Sequence, residues 1–137
     1  MNSLIRFYLA QETKYAIALA EIQAGRKQNH WIWYIFPQIA GLGRSETAQF
    51  YALKDVNEAK LFLEDPVLGK RLREITQALL ELEELTIYAV MGTPDDMKVK
   101  SCMTLFAEID TQPDAIFQQV LDKYYAGEKD LLTLELM

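Results

Sequence analysis

Apolar residues recur along most of the chain at the spacing of an α-helix, and no segment shows the alternation of period two that is typical of strands. The clearest apolar stripe consists of Leu68, Leu72, Ile75, Leu79 and Leu82. Asp65 and Pro66 stand directly before it, as an N-cap and a first helical residue. We therefore predict an all-α fold, a compact orthogonal bundle of about seven helices.

Capping residues and glycines set the bounds of the other predicted helices. Ser45 and Asp55 are typical N-caps. Helices commonly end at glycines such as Gly25, Gly92 and Gly127. The predicted helices cover residues 3–24, 46–53, 56–64, 86–91, 114–126 and 131–136, and two more begin near residues 66 and 94. The first of them has a candidate break at residues 11–13.

Residues 31–36 form the longest apolar run, which suits a buried strand and a buried helix equally. Pro37 ends either element. The run is far shorter than the 20 or so residues that a membrane-spanning helix needs, and the first residues lack a signal-peptide pattern. Cys102 is the single cysteine and can form no intrachain disulfide. We expect a cytoplasmic protein that does not enter a membrane.

Length and charge narrow the classes of function. A chain of 137 residues, half of them apolar, has the size of one domain, which we place at residues 1–137. The 14 Lys and Arg residues against 20 Asp and Glu residues give a net charge of −6, which disfavours nucleic-acid binding. With one histidine and one cysteine, a zinc site of the ordinary kind is excluded. We predict no metal site, with a magnesium site built from Asp and Glu as the alternative, and the sequence does not identify a cofactor.

Residues 22–45 differ from the rest of the chain in charge. This segment contains no Asp or Glu and carries Arg26, Lys27 and Arg44, in a protein whose net charge is −6. A positive segment in an acidic protein is a candidate anion site, with Lys27 as one ligand-binding cation. The alternative is that residues 31–36 are core and exclude charge of either sign.

The end of this segment carries the features of an anion-binding loop. Gly41 and Gly43 can leave backbone N–H groups free, and Ser45 begins a helix whose first N–H groups favour negative ligands. Arg44 adds a guanidinium group that suits phosphate or carboxylate. We predict that these four residues bind ligand. The alternative is a glycine turn followed by an N-cap, with Glu46 satisfying the helix dipole.

Three further residues of the segment carry side chains suited to a ligand. His30 belongs to the residue type that titrates near neutral pH, and we predict a catalytic role for it, against the alternative of a structural histidine. Trp33 can stack on a ring, and Gln38 can fix a ligand amide or tie down the turn after Pro37.

The predicted helix that begins at residue 94 supplies a second group of candidates. Lys100, Ser101 and Thr104 lie at helical spacing beside its apolar face. We predict Ser101 as a catalytic hydroxyl, with Lys100 and Thr104 lining a ligand pocket. The alternative is an ordinary solvated helix face.

Several blocks of sequence resemble one uncharacterised, mainly bacterial family whose members often carry the label "calpastatin". The blocks are residues 30–38, 41–45, 65–69, 101–106 and 120–125. The resemblance implies a mainly helical protein of unknown function and transfers no catalytic residues. Inhibitors of the calpastatin type are long, polar and disordered, whereas half of this chain is apolar, so we reject that label.

Two classes of function follow from these residues. The first is a site for an anionic small molecule, such as a nucleotide or an ADP-ribose-like compound, with hydrolysis as its stronger form. The second is a protein-interaction module or homodimer without catalytic activity, in which residues 31–36 and the pair Tyr124 and Tyr125 form the contact surface.

Overall fold

The structure, a computed structural model, describes residues 4–137 and contains nine helices within them. They are α1 Ile5–Gln23, α2 Ile32–Ile35, α3 Glu46–Tyr51, α4 Val56–Glu64, α5 Leu68–Glu81, α6 Ile87–Met91, α7 Asp95–Ile109, α8 Ile116–Tyr125 and α9 Leu131–Leu136. The predicted all-α bundle is confirmed, with nine helices instead of about seven. Several of the nine are single turns, and these are the hardest helices to count from periodicity.

The predicted N-caps act as expected. The Oγ of Ser45 accepts the backbone N–H of Ala48 at 3.1 Å, and the Oδ1 of Asp55 accepts that of Glu58 at 2.9 Å. These bonds satisfy N–H groups that have no partner inside the first turn of a helix.

Helix α1 is continuous, so the predicted break at residues 11–13 is wrong. Gln11 points into the core, where its Nε2 donates to the carbonyl of Tyr34 at 2.7 Å and its Oε1 accepts from Arg71. A buried glutamine whose amide is hydrogen-bonded does not interrupt a helix, although its polarity interrupts the apolar pattern.

Within residues 31–36, Ile32–Ile35 form one helical turn, α2, and Trp31 and Phe36 are the residues at its two ends. No strand occurs within residues 4–137. The nearest feature is one parallel bridge in which Leu53 N donates to Gln38 O and Ala40 N donates to Leu53 O, both at 2.8 Å. This bridge holds the loop after α2 against the end of α3.

The core lies between α1, α4, α5, α7 and α8. Phe106 of α7 stacks between Phe62 of α4 and Phe117 of α8, with ring centroids 5.9 and 5.7 Å apart. The apolar stripe predicted for α5 faces this core, and its first four leucine and isoleucine residues are buried. Among residues 4–137, no helix is long and apolar enough to cross a membrane.

Candidate functional site

The acid-free segment is held in place by one carboxylate outside it. Oε1 of Glu21, in the last turns of α1, accepts the N–H groups of Gln28 at 2.7 Å and Asn29 at 3.0 Å, and the indole N–H of Trp31 at 2.9 Å. Burial by itself would raise the pKa of Glu21, but these donors, with the amide of Asn29, outweigh it and lower the pKa to about 2. The carboxylate therefore stays charged and fixes the loop that precedes α2.

Lys27, predicted to bind ligand, is already paired. Its Nζ lies 2.9 Å from Oδ2 of Asp95 and 2.6 Å from the carbonyl oxygen of Asn29, and 5.0 Å above the ring of Trp31. Its side chain is 6% exposed. Lys27 therefore joins the start of α7 to the loop before α2, and much of its charge is neutralised by Asp95.

Trp33 is half-buried, and its indole lies between Lys98 and a small cavity. The Nζ of Lys98 lies 5.5 Å from the centre of its ring and 3.4 Å from Oδ1 of Asp95. The indole also lines a small cavity together with Gln38, Ile39, Gly43, Ala48, Tyr51 and Ala52. This cavity has a volume of about 10 Å³, which is room for one water molecule.

A second cavity of about 360 Å³ shares Gly43 and Ala52 with the first and is also lined by Ala40, Gly41 and Gln49. We name the two neighbouring cavities, which lie between the loop of residues 38–45 and α3, the α3 groove. Four of the predicted ligand-binding residues line it, namely Trp33, Gln38, Gly41 and Gly43.

Two glycines shape the α3 groove because a larger residue would not fit. A Cβ atom on Gly43 would lie 2.4 Å from Cβ of Ala48, so the loop packs directly on α3. Gly41 has a φ of +105°, and a Cβ there would lie 3.1 Å from the side chain of Leu136 in α9. Helix α9 therefore packs beside this loop at Gly41.

Three residues that line this groove carry polar side-chain groups with no hydrogen-bond partner inside residues 4–137. They are the indole N–H of Trp33, the side-chain amide of Gln38 and the hydroxyl of Tyr51, and none of them makes a hydrogen bond within that range. The backbone N–H groups of residues 41–45 also donate to no group within residues 4–137.

The ring of Tyr34 lies against the ring of Tyr51, with centroids 5.2 Å apart. Burial raises the pKa of Tyr34, and its proximity to Tyr51 raises it further. The Tyr34 hydroxyl therefore stays protonated.

Arg44 and Ser45 follow Gly43 in the chain, but neither of them lines the groove. The Arg44 side chain is exposed and makes no ion pair within residues 4–137, and its carbonyl accepts from Nε2 of Gln49 at 2.8 Å. The Ser45 hydroxyl serves as the cap of α3, so Ser45 is engaged with its own helix. Glu46, in the first turn of that helix, is exposed.

The second predicted group, on α7, lies in a different place and fastens α9. The Oγ of Ser101 lies 3.1 Å from Oδ2 of Asp130 and 3.2 Å from the carbonyl of Met97, and Oγ1 of Thr104 accepts the backbone N–H of Asp130 at 2.9 Å. Lys100 lies 3.7 Å from a carboxylate oxygen of Glu128. No residue of this group is among those that line the α3 groove.

His30 is exposed on the loop before α2, and within residues 4–137 it makes neither a hydrogen bond nor an ion pair. The Ser101 hydroxyl bonds to Asp130 and Met97 and makes no bond to His30. His30 and Ser101, the two residues predicted as catalytic, therefore share no hydrogen bond in this structure.

The aromatic residues predicted as an interaction surface are mostly turned inwards. Trp31 and the side chains at positions 32 and 34–36 are buried. Tyr124 and Tyr125 are partly buried, and their hydroxyls donate to the carbonyls of Leu79 and Asp96. Of the predicted surface, only the partly exposed Trp33, Tyr124 and Tyr125 are therefore accessible to a partner.

The sequence of the whole chain, residues 1–137, matches the model of a family described as "Protein of unknown function (DUF1810)". The chain belongs to the DUF1810 family. This description agrees with the uncharacterised family that the sequence blocks resemble. A comparison with curated proteins gives no match.

One solved structure matches this DUF1810 protein closely. It is the conserved hypothetical protein Rv1873 from Mycobacterium tuberculosis, determined by crystallography at 1.38 Å. The two chains are 40% identical, with a TM-score of 0.95, over 98% of this chain and 95% of the other. The helical architecture described above is therefore also that of Rv1873.

Sequence reasoning missed Tyr51 and Gln49, which line the α3 groove. Both lie in the short helix α3, which was predicted for its cap alone, and only the bridge between Ile39 and Leu53 brings them opposite the glycine loop. Within residues 4–137, no group of three His, Cys, Asp or Glu side chains is placed to hold a metal ion.

Proposed function

We propose that this protein binds a small anionic ligand of the nucleotide or ADP-ribose class in the α3 groove. The observation that carries the proposal is that Trp33, Gln38 and Tyr51 line one groove and that their polar side-chain groups make no hydrogen bond within residues 4–137. Polar groups that a protein holds in a partly buried groove normally bond to something, whether protein, water or ligand.

The charge around the groove favours an anion. The backbone N–H groups of residues 41–45 and the indole of Trp33 can only donate hydrogen bonds. Arg44, next to Gly43 in the chain, is exposed and makes no ion pair within residues 4–137, and Lys98, which is paired with Asp95, lies over the Trp33 ring. Between residues 38 and 51, Glu46 is the only carboxylate against this excess of donors.

The shape of the groove divides the ligand into two parts. The outer cavity of about 360 Å³ is within the size range of small-molecule sites and would hold the bulk of the ligand. The inner cavity beside Trp33 accepts only a group of the size of a water molecule, so a ring enters it only if the loop shifts. Gln38 would then read a polar edge of that group.

Hydrolysis of the bound ligand is a separate and stronger proposal. His30 is the candidate for its acid or base. An exposed histidine that makes no other bond is free to act as an acid or base. Ser101 does not fit this role as well, because its hydroxyl is bonded to the cap of α9.

Isothermal titration with ADP-ribose, NAD and mononucleotides tests the binding proposal. We expect Arg44→Ala and Tyr51→Phe each to weaken binding by about tenfold, which is the loss of one good hydrogen bond or charge contact. Arg26→Ala and Tyr88→Phe are matched controls, because both residues are exposed and neither lines the groove.

The controls should bind as the wild type does. Equal affinity in all four variants, or a loss confined to the Arg26 and Tyr88 variants, overturns the assignment of the site. The latter result would move the site to the cavity beside α6 that Arg26 and Tyr88 line.

A further inference from the structure

Helix α3 lies on one side of the α3 groove, although it buries little of its own surface. None of its six residues is buried; Ala48 and Tyr51 are half-buried, and the other four are exposed. A helix of this length is not stable by itself in water, so its position depends on contacts with neighbouring elements. The contacts of its last turn therefore determine where Tyr51 lies.

The side chain of Arg6, in the first turn of α1, binds the last turn of α3 on both sides of Tyr51. Its Nε donates to the carbonyl oxygen of Phe50 at 2.8 Å, and its Nη2 donates to that of Ala52 at 2.9 Å. The last carbonyl groups of a helix have no partner inside the helix, and a cation beside them is favourable. One guanidinium group therefore fixes the backbone directly before and directly after Tyr51.

The guanidinium group of Arg6 is itself fixed by a carboxylate of α4. Its Nη2 also lies 2.9 Å from Oε1 of Glu58, and the same oxygen accepts the backbone N–H of Lys54 at 2.9 Å. The two charged side chains are only 16% and 5% exposed. Three acceptors around one planar group suit arginine, because a lysine ammonium is a single point on a flexible chain and cannot reproduce the geometry of the fork.

Aromatic contacts add a second link between Arg6 and Tyr51. Cζ of Arg6 lies 4.5 Å from the centre of the Phe7 ring, and the centres of the Phe7 and Tyr51 rings are 5.9 Å apart. The ring of Tyr34 contacts Tyr51 as well, with centroids 5.2 Å apart. The backbone of Tyr51 is therefore held by Arg6, and its ring is held by rings of α1 and α2.

We propose that Arg6 is a positioning residue of the α3 groove and acts on a bound ligand through Tyr51. The proposal rests on the proposed function, in which the Tyr51 hydroxyl is one of the groups that bind the ligand. Arg6 is not among the residues that line either cavity of the groove. Its effect on affinity must therefore pass through α3, and the loss of its fork should release Tyr51 from its place.

Hydrogen exchange of the ligand-free protein tests the positioning by itself. We expect Arg6→Lys to accelerate exchange by about tenfold at the amides of Ala40 and Leu53, whose hydrogen bonds join the end of α3 to the groove loop. Amides of α7 should exchange as in the wild type. Unchanged exchange at Ala40 and Leu53 overturns the proposal.

Arg73→Lys is the matched control. Arg73 also pairs with a buried carboxylate, that of Asp110 at 2.7 Å, and also lies over a phenylalanine ring, that of Phe117 at 5.5 Å. This variant loses an equivalent fork at another place and should leave the end of α3 unchanged. Acceleration at Ala40 and Leu53 in both variants would show a general loss of stability and overturn the proposal.

A second variant keeps the test decisive if Arg6→Lys does not fold, which circular dichroism shows. Glu58→Gln removes the charge that anchors the guanidinium group and leaves every residue of α1 and α3 unchanged. We expect faster exchange at the same two amides, by a smaller factor. Acceleration that spares both amides overturns the proposal.

A double-mutant cycle, measured by isothermal titration with ADP-ribose, tests the route through Tyr51. Arg6→Lys and Tyr51→Phe should each weaken binding by about tenfold. The double variant should also lose about tenfold and not a hundredfold, because both changes remove the same contact. A hundredfold loss in the double variant would show that Arg6 acts independently of Tyr51 and overturn the proposal.

The failure of this inference and the failure of the proposed function are distinguishable. If the wild type binds neither ADP-ribose nor NAD nor mononucleotides, the proposed function fails, and the exchange measurement still decides whether Arg6 fixes α3. If the wild type binds and Arg6→Lys binds equally well, the proposed function stands and the role of Arg6 is overturned.

Discussion

The indole N–H of Trp31 donates a hydrogen bond of 2.9 Å to Oε1 of Glu21 and so ties the aromatic segment to the last turns of α1. The same oxygen accepts the backbone N–H groups of Gln28 and Asn29. One carboxylate therefore fixes the loop that leads into α2, and through α2 it fixes the position of Trp33 at the α3 groove.

Replacing Glu21 by Gln should lower the free energy of unfolding by about 2 kcal/mol at neutral pH, because hydrogen bonds to a charged acceptor are the stronger kind. The pKa of Glu21 falls from an ordinary 4.5 to about 2 in the folded protein. Its contribution is therefore complete above pH 4.5 and is lost as the pH falls towards 2. Denaturant unfolding of both proteins at neutral pH and near pH 3 measures this difference. A difference that stays constant over that range would contradict the role of the charge.

Gly43→Ala should distort the α3 groove, because the added Cβ would lie 2.4 Å from Cβ of Ala48. We expect a loss of about 1–3 kcal/mol in the free energy of unfolding, which is the usual effect of overpacking. Ligand affinity should fall as well, since the loop must move. The double variant with Ala48→Gly removes the clash and should recover affinity, although Gly in a helix costs about 1 kcal/mol. Unchanged stability and affinity in Gly43→Ala would show that the loop tolerates the added methyl group, and failure of the double variant to recover any affinity would show that the clash with Ala48 does not cause the loss.

Ser101→Ala should loosen α9 without changing ligand affinity. The Ser101 hydroxyl lies 3.1 Å from Oδ2 of Asp130, which also caps α9 through the N–H of Thr133 at 3.2 Å. We expect faster amide hydrogen exchange in residues 131–136 and a loss of about 1 kcal/mol in stability. Thr133→Val removes a second donor to the same carboxylate and should give the same exchange pattern. A loss of activity in Ser101→Ala without faster exchange would instead favour the catalytic role predicted from the sequence.

His30→Ala should leave stability unchanged within about 0.5 kcal/mol, because His30 is exposed and makes no bond within residues 4–137. If the protein hydrolyses a nucleotide-type substrate with His30 as acid or base, the same change should reduce the rate by about a hundredfold or more. A hydrolysis assay and a thermal melt of one protein sample separate the two effects. An unchanged rate would exclude His30 from the chemistry.

The local features of the fold are readable from the sequence because they join residues that are close along the chain. The side chains of Ser45, Asp55 and Asp130 each accept the backbone N–H group of the residue three positions ahead. The apolar stripe that begins at Leu68 follows from the pitch of a helix. The helical class, most helix bounds and the unusual charge of residues 22–45 needed no structure for this reason.

The tertiary structure alone decided which candidates meet. It paired Lys27 with Asp95, set Ser101 against Asp130 and placed Tyr51 opposite Gly43. These contacts join residues up to 68 positions apart, and no local pattern encodes such distances. The sequence determined which side chains were available for an anion site. The packing of the helices determined that Trp33, Gln38, Gly41 and Gly43 share a groove, and that Lys100, Ser101 and Thr104 lie elsewhere, at the base of α9.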